Sequence, residues 1–139
     1  MKRESKETEP NSPVPDSTCP FCLLANERVW MQSRSALAFQ DAYPVTPGHT
    51  LVVPRNHAPS VFDLPPADQQ DLWNLVAAAR GVLKKELGVT AFNIGINDGM
   101  AAGQTVPHAH IHIIPRGDGD VDDPRGGIRW VIPQKAKYW

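Results

Sequence analysis

His108, His110 and His112 occupy every second position in the segment GQTVPHAHIHIIPR, residues 103–116, and are three of the chain's five histidines. They alternate with Ala109, Ile111 and Ile113. Successive side chains of an extended strand point to opposite faces, so this spacing puts three imidazoles on one face and three apolar groups on the other. Imidazole titrates near neutrality, so such a face can accept, donate and relay protons. It can also ligate metals. Same-face residues along one strand fan out, however, and do not converge on a single ion, which favours catalysis. An unprotonated imidazole is a competent nucleophile. Attack on phosphorus gives a phosphohistidine-type intermediate that water or another acceptor resolves. That chemistry needs donors for the phosphoryl oxygens. The Gly103-Gln104-Thr105 turn offers backbone N–H groups, the Gln104 amide and the Thr105 hydroxyl, and His49 after Pro47-Gly48 is a further donor.

A second chemical feature is Cys19-Pro20-Phe21-Cys22, and it admits three readings. It resembles the redox pair of glutaredoxin-like proteins, although that motif follows a strand and opens a helix. It also reads as two structural thiols without a partner. Thirdly, two thiolates at this spacing supply half of a tetrahedral zinc site, with two histidines as the missing half.

Several elements must carry these groups. Short apolar runs predict strands over 28–31, 36–39, 49–54 and 91–97. The histidine run predicts a fifth over 108–114, bounded by Pro107 and Pro115. One helix is expected over 66–87, where Leu72, Leu75, Val76, Ala79, Val82, Leu83 and Leu87 recur at three- and four-residue spacing. Pro66 suits its first turn and Gly88 its stop. Gly81 inside it costs about 1 kcal/mol relative to alanine, to be offset by packing. Residues 97–105 then read as the connection between the fourth and fifth strands. The sum is an α+β domain.

The chain has 139 residues, room for one domain. Residues 1–16 are polar and aperiodic and are expected to form a disordered tail, leaving 17–139 as the domain, with an extension from about 117. Fourteen prolines are roughly twice the usual share. Net charge is −1, from 14 basic and 15 acidic residues, so no basic field is expected to hold a nucleic acid polymer. No run of about 18 apolar residues suggests a membrane span. The first residues lack an apolar signal core, which points to a reducing, cytoplasmic setting.

GQTVPHAHIHIIPR resembles the signature of the histidine triad family of nucleotide hydrolases and transferases. DAYPVTPGHTLVVPRNH, residues 41–57, resembles the family's second block, and LPPADQQDLW and NIGINDGMAAGQT follow in the family's order. The resemblance spans about residues 19–116. PRGGIRWVIPQKAKYW resembles tails of some bacterial members. The family implies an α+β fold with a five-stranded antiparallel sheet and one long helix, paired across a two-fold axis into a ten-stranded sheet in a homodimer. By motif position the resemblance implies that His110 is the nucleophile on a nucleotide's α-phosphorus. His112 and His49 contact the phosphate, Asn97 lies near the scissile bond, and Gln104, Thr105 and Gly103 lie on phosphate-contacting positions. Asp41 accepts from the ribose hydroxyls, and Phe21, Leu23 and Phe39 wall the base. In a zinc-bearing branch of the family, the positions of Cys19, Cys22, His57 and His108 hold a structural metal. The resemblance thus implies a structural zinc ion and no organic cofactor.

The implied function is hydrolysis at the α-phosphate of a nucleotide conjugate, a dinucleoside polyphosphate or a nucleoside phosphoramidate, through a nucleotidyl-His110 intermediate. The motif ending looks closer to the dinucleoside-polyphosphate hydrolase branch. A nucleotidyltransferase with the same nucleophile is the enzymatic alternative. A nucleotide-binding module without turnover is the non-enzymatic one, although binding alone does not need a nucleophile.

Overall fold

The computed structural model describes residues 18–139, and the tail expected over 1–16 lies outside the described residues. Five strands build one antiparallel sheet: β1 (Val29–Gln32), β2 (Ala36–Gln40), β3 (Thr50–Pro54), β4 (Ala91–Ile96) and β5 (Ile111–Arg116). They lie in the order β1-β2-β3-β5-β4. A single long helix, α1 (Pro66–Leu87), follows β3. Its bounds agree with the apolar periodicity. Pro66 sits in the first turn, where its missing N–H costs no intrahelical bond, and Gly88 closes the helix in the left-handed region at φ 69°.

The two faces of the sheet have separate work. Ala36, Ala38, Val52, Ile111 and Ile113 meet Leu72, Leu75, Val76, Ala79 and Leu83 of α1 in the main core. Fully burying an aliphatic side chain of this kind stabilises the fold by about 1.5–3 kcal/mol. Val82 is half-buried and Leu87 is 42% exposed, so the helix's buried stripe is narrower than its sequence pattern. Gly81 has no atom within 4 Å of where a Cβ would sit, so no packing contact requires the glycine. The opposite face carries a second apolar cluster, in which Phe39, Leu51 and Val53 are covered by Phe21, Leu24 and Leu37. The N-terminal segment thereby lies over the sheet beside the histidines.

Two boundaries differ from the sequence reading. β5 begins at Ile111 and not at His108. The β3 ladder ends at Val52 opposite Ile111, because Pro54 has no N–H and its carbonyl accepts instead from His108 Nε2 at 2.8 Å. Residues 108–110 are held by Ala109 N–H donating to Ala58 O at 2.7 Å. Pro115, expected to bound the strand, lies inside β5 opposite Phe92. The last β3 pair is Thr50 with Ile113, so beyond it β5 is flanked by β4 alone, where a proline is tolerated.

Candidate functional site

The turn before β3 sets the first histidine. Gly48 adopts φ 87°, and a Cβ there would lie 2.6 Å from Leu87 Cδ1. The close turn places His49 beside Asp41, whose backbone N–H donates to His49 O at 2.9 Å. His49 is 3% exposed. Its Nδ1 accepts from Val45 N–H at 3.1 Å, which assigns the ring proton to Nε2. That Nε2–H faces His112 Nδ1 at 2.9 Å and Asp41 Oδ2 at 3.4 Å. His112 Nδ1 therefore accepts, and its own proton sits on Nε2.

Burial pushes His112 down to about 4, helped by the neighbouring His110 and His49 and opposed by Asp41. His49 is also lowered, chiefly by burial, with Asp41 acting the other way. At neutral pH the pair is thus an uncharged relay whose outer end is an N–H donor.

His110 is oriented the other way round. Its Nδ1–H donates to its own chain, at His108 O, 2.8 Å away. In the neutral ring this bond leaves the lone pair on Nε2, on the opposite edge. The His110 and His112 rings lie 5.2 Å apart, and Phe21 stacks edge-on against His110 at 5.2 Å and His108 at 5.7 Å. One face thus holds all three rings although only His112 belongs to the paired strand. A lone pair and an N–H donor stand side by side.

Both line a cleft of about 570 Å³. Phe21, Leu24, Phe39 and Leu51 form its apolar end, and Asp41, His49, Asn97, Gly103 and Thr105 its polar one. Most of the expected substrate residues thus come together. Gln104 does not. Its Oε1 accepts from Gly99 N–H at 2.8 Å and its Nε2 donates to Pro59 O and Val106 O, so its amide braces the loop. Two of the backbone donors expected from this turn are also committed: Gly103 N–H bonds Met100 O and Gln104 N–H bonds Gly99 O. Leu23 is 62% exposed, and Leu24 walls the cleft in its place. Sequence reasoning missed Arg28, whose guanidinium lies 5.5 Å over the Phe39 ring while donating to Gln40 O. Nothing in the sequence around it signals that contact.

The cysteines form a separate cluster with His57 and His108. His108, 1% exposed, donates its Nε2–H to Pro54 O and turns Nδ1 toward the thiols. Its Nδ1 lies 3.5 Å from Cys19 Sγ, 3.6 Å from Cys22 Sγ and 3.2 Å from His57 Nδ1. Cys22 Sγ lies 3.2 Å from His57 Nδ1. Ligands at the usual zinc–sulfur and zinc–nitrogen lengths stand about 3.3–3.6 Å apart at the corners of a tetrahedron. The donor set fits such an ion, and the carbonyl bond to Nε2 is the outer-sphere contact that fixes a ligating histidine's tautomer. Burial, opposed by that carbonyl, pushes His108 down to about 4, and a ligating imidazole must be neutral. Asp41, His49 and His112 also lie close enough to share an ion. Their 2.9 Å nitrogen–nitrogen contact is that of a hydrogen bond. After Cys22 the chain makes turns and the three-residue 3-10 helix Asn26–Arg28, and not the long helix that activates a redox dithiol.

Comparison with known proteins shows which family the chain belongs to. The chain is 42% identical over 96 residues to a bis(5'-nucleosyl)-tetraphosphatase [asymmetrical] of Schizosaccharomyces pombe, covering 69% of this chain and 53% of that one. It is 41% identical over 108 residues to an uncharacterized HIT-like protein of Methanocaldococcus jannaschii, covering 73% and 81%. A Zn-bound histidine triad family protein from Mycobacterium smegmatis superposes with a TM-score of 0.63 at 34% identity, covering 74% and 78%. The chain spans about half the length of the S. pombe relative. A family profile described as HIT domain matches residues 25–119, more than half of the chain, and the protein belongs to that family.

Proposed function

We propose that the protein hydrolyses nucleotide conjugates at the α-phosphate, a phosphoanhydride or a phosphoramidate bond being cleaved, through a nucleotidyl-His110 intermediate. The observation that carries this reading is the 2.8 Å bond from His110 Nδ1–H to the His108 carbonyl, which commits the Nε2 lone pair to the cleft. The S. pombe relative's name supports the phosphoanhydride arm of the class.

The base lies between Phe21, Phe39 and Leu24, with Asp41 accepting from the ribose. The phosphate lies over the imidazoles, held by His112 Nε2–H, the Thr105 hydroxyl and the Asn97 amide. In the first step the His110 Nε2–phosphorus bond forms and the bond to the leaving group breaks, its electron pair departing with that group. The positive charge on the substituted imidazole is stabilised by the His108 carbonyl at Nδ1–H. Water then attacks phosphorus and gives up a proton to solvent, the Nε2–phosphorus bond breaks with its electron pair returning to the imidazole, and the nucleoside monophosphate leaves. Gln104 acts here as a brace that positions Thr105.

Cys19, Cys22, His57 and His108 would hold a structural zinc ion, supported by their tetrahedral spacing and the Zn-bound relative. Bound there, zinc supplies no chemistry to the substrate and fixes His108, hence the carbonyl that orients His110. Pairing with a second copy, as the family resemblance implies, is supported by the position of β4 at the outer edge of the sheet.

A panel of nucleotide conjugates incubated with purified protein and with His110→Asn tests the reaction. The variant should fold normally and lose at least a thousandfold in turnover. Wild-type turnover by the variant would rule out His110 as nucleophile. A transferase working with the same intermediate would show turnover only when a non-water acceptor is supplied.

A further inference from the structure

The nucleotide cleft runs across the strands, and its two ends differ in what they can read. His49 and His112 stand on β3 and β5, whereas the apolar end lies over β2, where Phe39 sits. Two strand spacings, about 10 Å, separate β5 from β2. That is close to the length of a purine nucleotide from its α-phosphorus to the far edge of its base. A nucleotide with its phosphate over His110 and its ribose at Asp41 therefore lays its base across Phe39. The far edge of the base then points toward β1.

Aromatic and aliphatic walls do not tell one base from another, because every base presents a π-face. Phe21, Leu24, Phe39 and Leu51 carry no hydrogen-bonding side-chain group, so discrimination needs another residue. Among the described residues, Arg28 is the one lysine or arginine that lines the cleft. It closes the 3-10 helix Asn26–Arg28, and the next residue, Val29, pairs with Phe39 across β1 and β2. The side chain thereby reaches over the Phe39 ring, 5.5 Å from its centroid. A bond from Arg28 Nη2 to Gln40 O, 2.7 Å long, anchors it there. A guanidinium has five N–H donors and no acceptor. Among the described residues the Arg28 side chain makes that one hydrogen bond and no ion pair. The remaining donors are available to an acceptor on the base.

We propose that Arg28 reads the six-position of a purine and makes guanine the preferred base over adenine. At that position guanine carries the O6 acceptor, whereas adenine carries the N6 amino donor. A guanidinium bonds the first and meets the second donor to donor. Cytosine and uracil, with a single ring, stop short of the cation. The polar residues at the other end of the cleft are occupied by ribose and phosphate and do not make this choice. The inference rests on the hydrolase reading above and deepens it by naming the base.

The test measures dissociation constants for the 5′-monophosphates of guanosine, inosine and adenosine. It then follows cleavage of one mixed substrate, a tetraphosphate carrying adenosine at one end and guanosine at the other. The guanosine and inosine nucleotides, which share O6, should bind about tenfold more tightly than the adenosine nucleotide. The mixed substrate should yield GMP and ATP about tenfold over AMP and GTP. Arg28→Met keeps an aliphatic stem over Phe39 and should bring both ratios close to one. Equal affinities for GMP and AMP, inosine behaving as adenosine, or a preference that survives Arg28→Met overturns the assignment and leaves the hydrolase reading intact. Nucleotide binding without turnover of any conjugate overturns the hydrolase reading alone, and the affinities still decide the role of Arg28. Binding of none of the three nucleotides overturns both.

Discussion

At the scale of single residues, the site depends on which nitrogen of each imidazole holds the proton. Val45 N–H fixes His49, His49 fixes His112, and the His108 carbonyl fixes His110. A neutral His112 is part of that arrangement, which gives a pH dependence with a definite sign. Its ordinary value of 6.5 in the unfolded chain falls to about 4 in the folded one. Between those limits the unfolded chain binds more protons, so stability is fully present above about pH 6.5 and is lost as pH falls toward 4. The contribution is bounded at about 3 kcal/mol, from 1.36 kcal/mol per pKa unit. Thermal midpoints measured from pH 7.5 to 4.5 should therefore fall more steeply for the wild type than for His112→Asn. Parallel slopes would show that the buried ring carries no such linkage.

The alternation of His108, His110 and His112 was legible from sequence because period two is a property of extended chain, and it survives where the ladder does not. The tautomers were not legible. They depend on Val45 and on carbonyls that no motif marks. Gln104 stands at a motif position that implies phosphate contact, and no motif marks the bonds that hold its amide to Gly99, Pro59 and Val106.

At the scale of elements, α1 was readable from apolar spacing and from Pro66 and Gly88, and the five strands from short apolar runs, whereas the order in which they pair was not. The start of β5 was not, because it is set by a side chain, His108, occupying a carbonyl that backbone would otherwise use. Nor was the tie between the β1–β2 turn and α1. There Asp71 accepts from the hydroxyls of Ser33 and Ser35 and from Ser35 N–H, and the Ser33 bond chiefly holds its carboxyl below the usual range. The N-terminal segment and the residues before β5 are joined by the thiol–imidazole cluster. Cys19→Ser should therefore lower stability by more than about 1 kcal/mol, the centre of the range for single substitutions, and reduce zinc from about one per chain. Its effect on the bond-breaking step should be smaller. Unchanged stability with activity abolished would contradict a structural metal.

At the scale of the whole molecule, the helix face of the sheet supplies the core and the other face supplies the chemistry, with chain on either side of the histidines. The segment from Cys19 to Leu24 covers the apolar part of the cleft, and Gly127–Val131 lies against β4. No helix among the described residues is long and apolar enough to cross a membrane. The central claim is that one imidazole, His110, forms a covalent bond to phosphorus through Nε2. Rapid acid-free quenching during turnover of an adenosine conjugate, followed by peptide mapping by mass spectrometry, tests it directly. An adenylyl group on His110 is the expected result. Continued turnover with that group found on another residue, or on none at any time in the reaction, would contradict it.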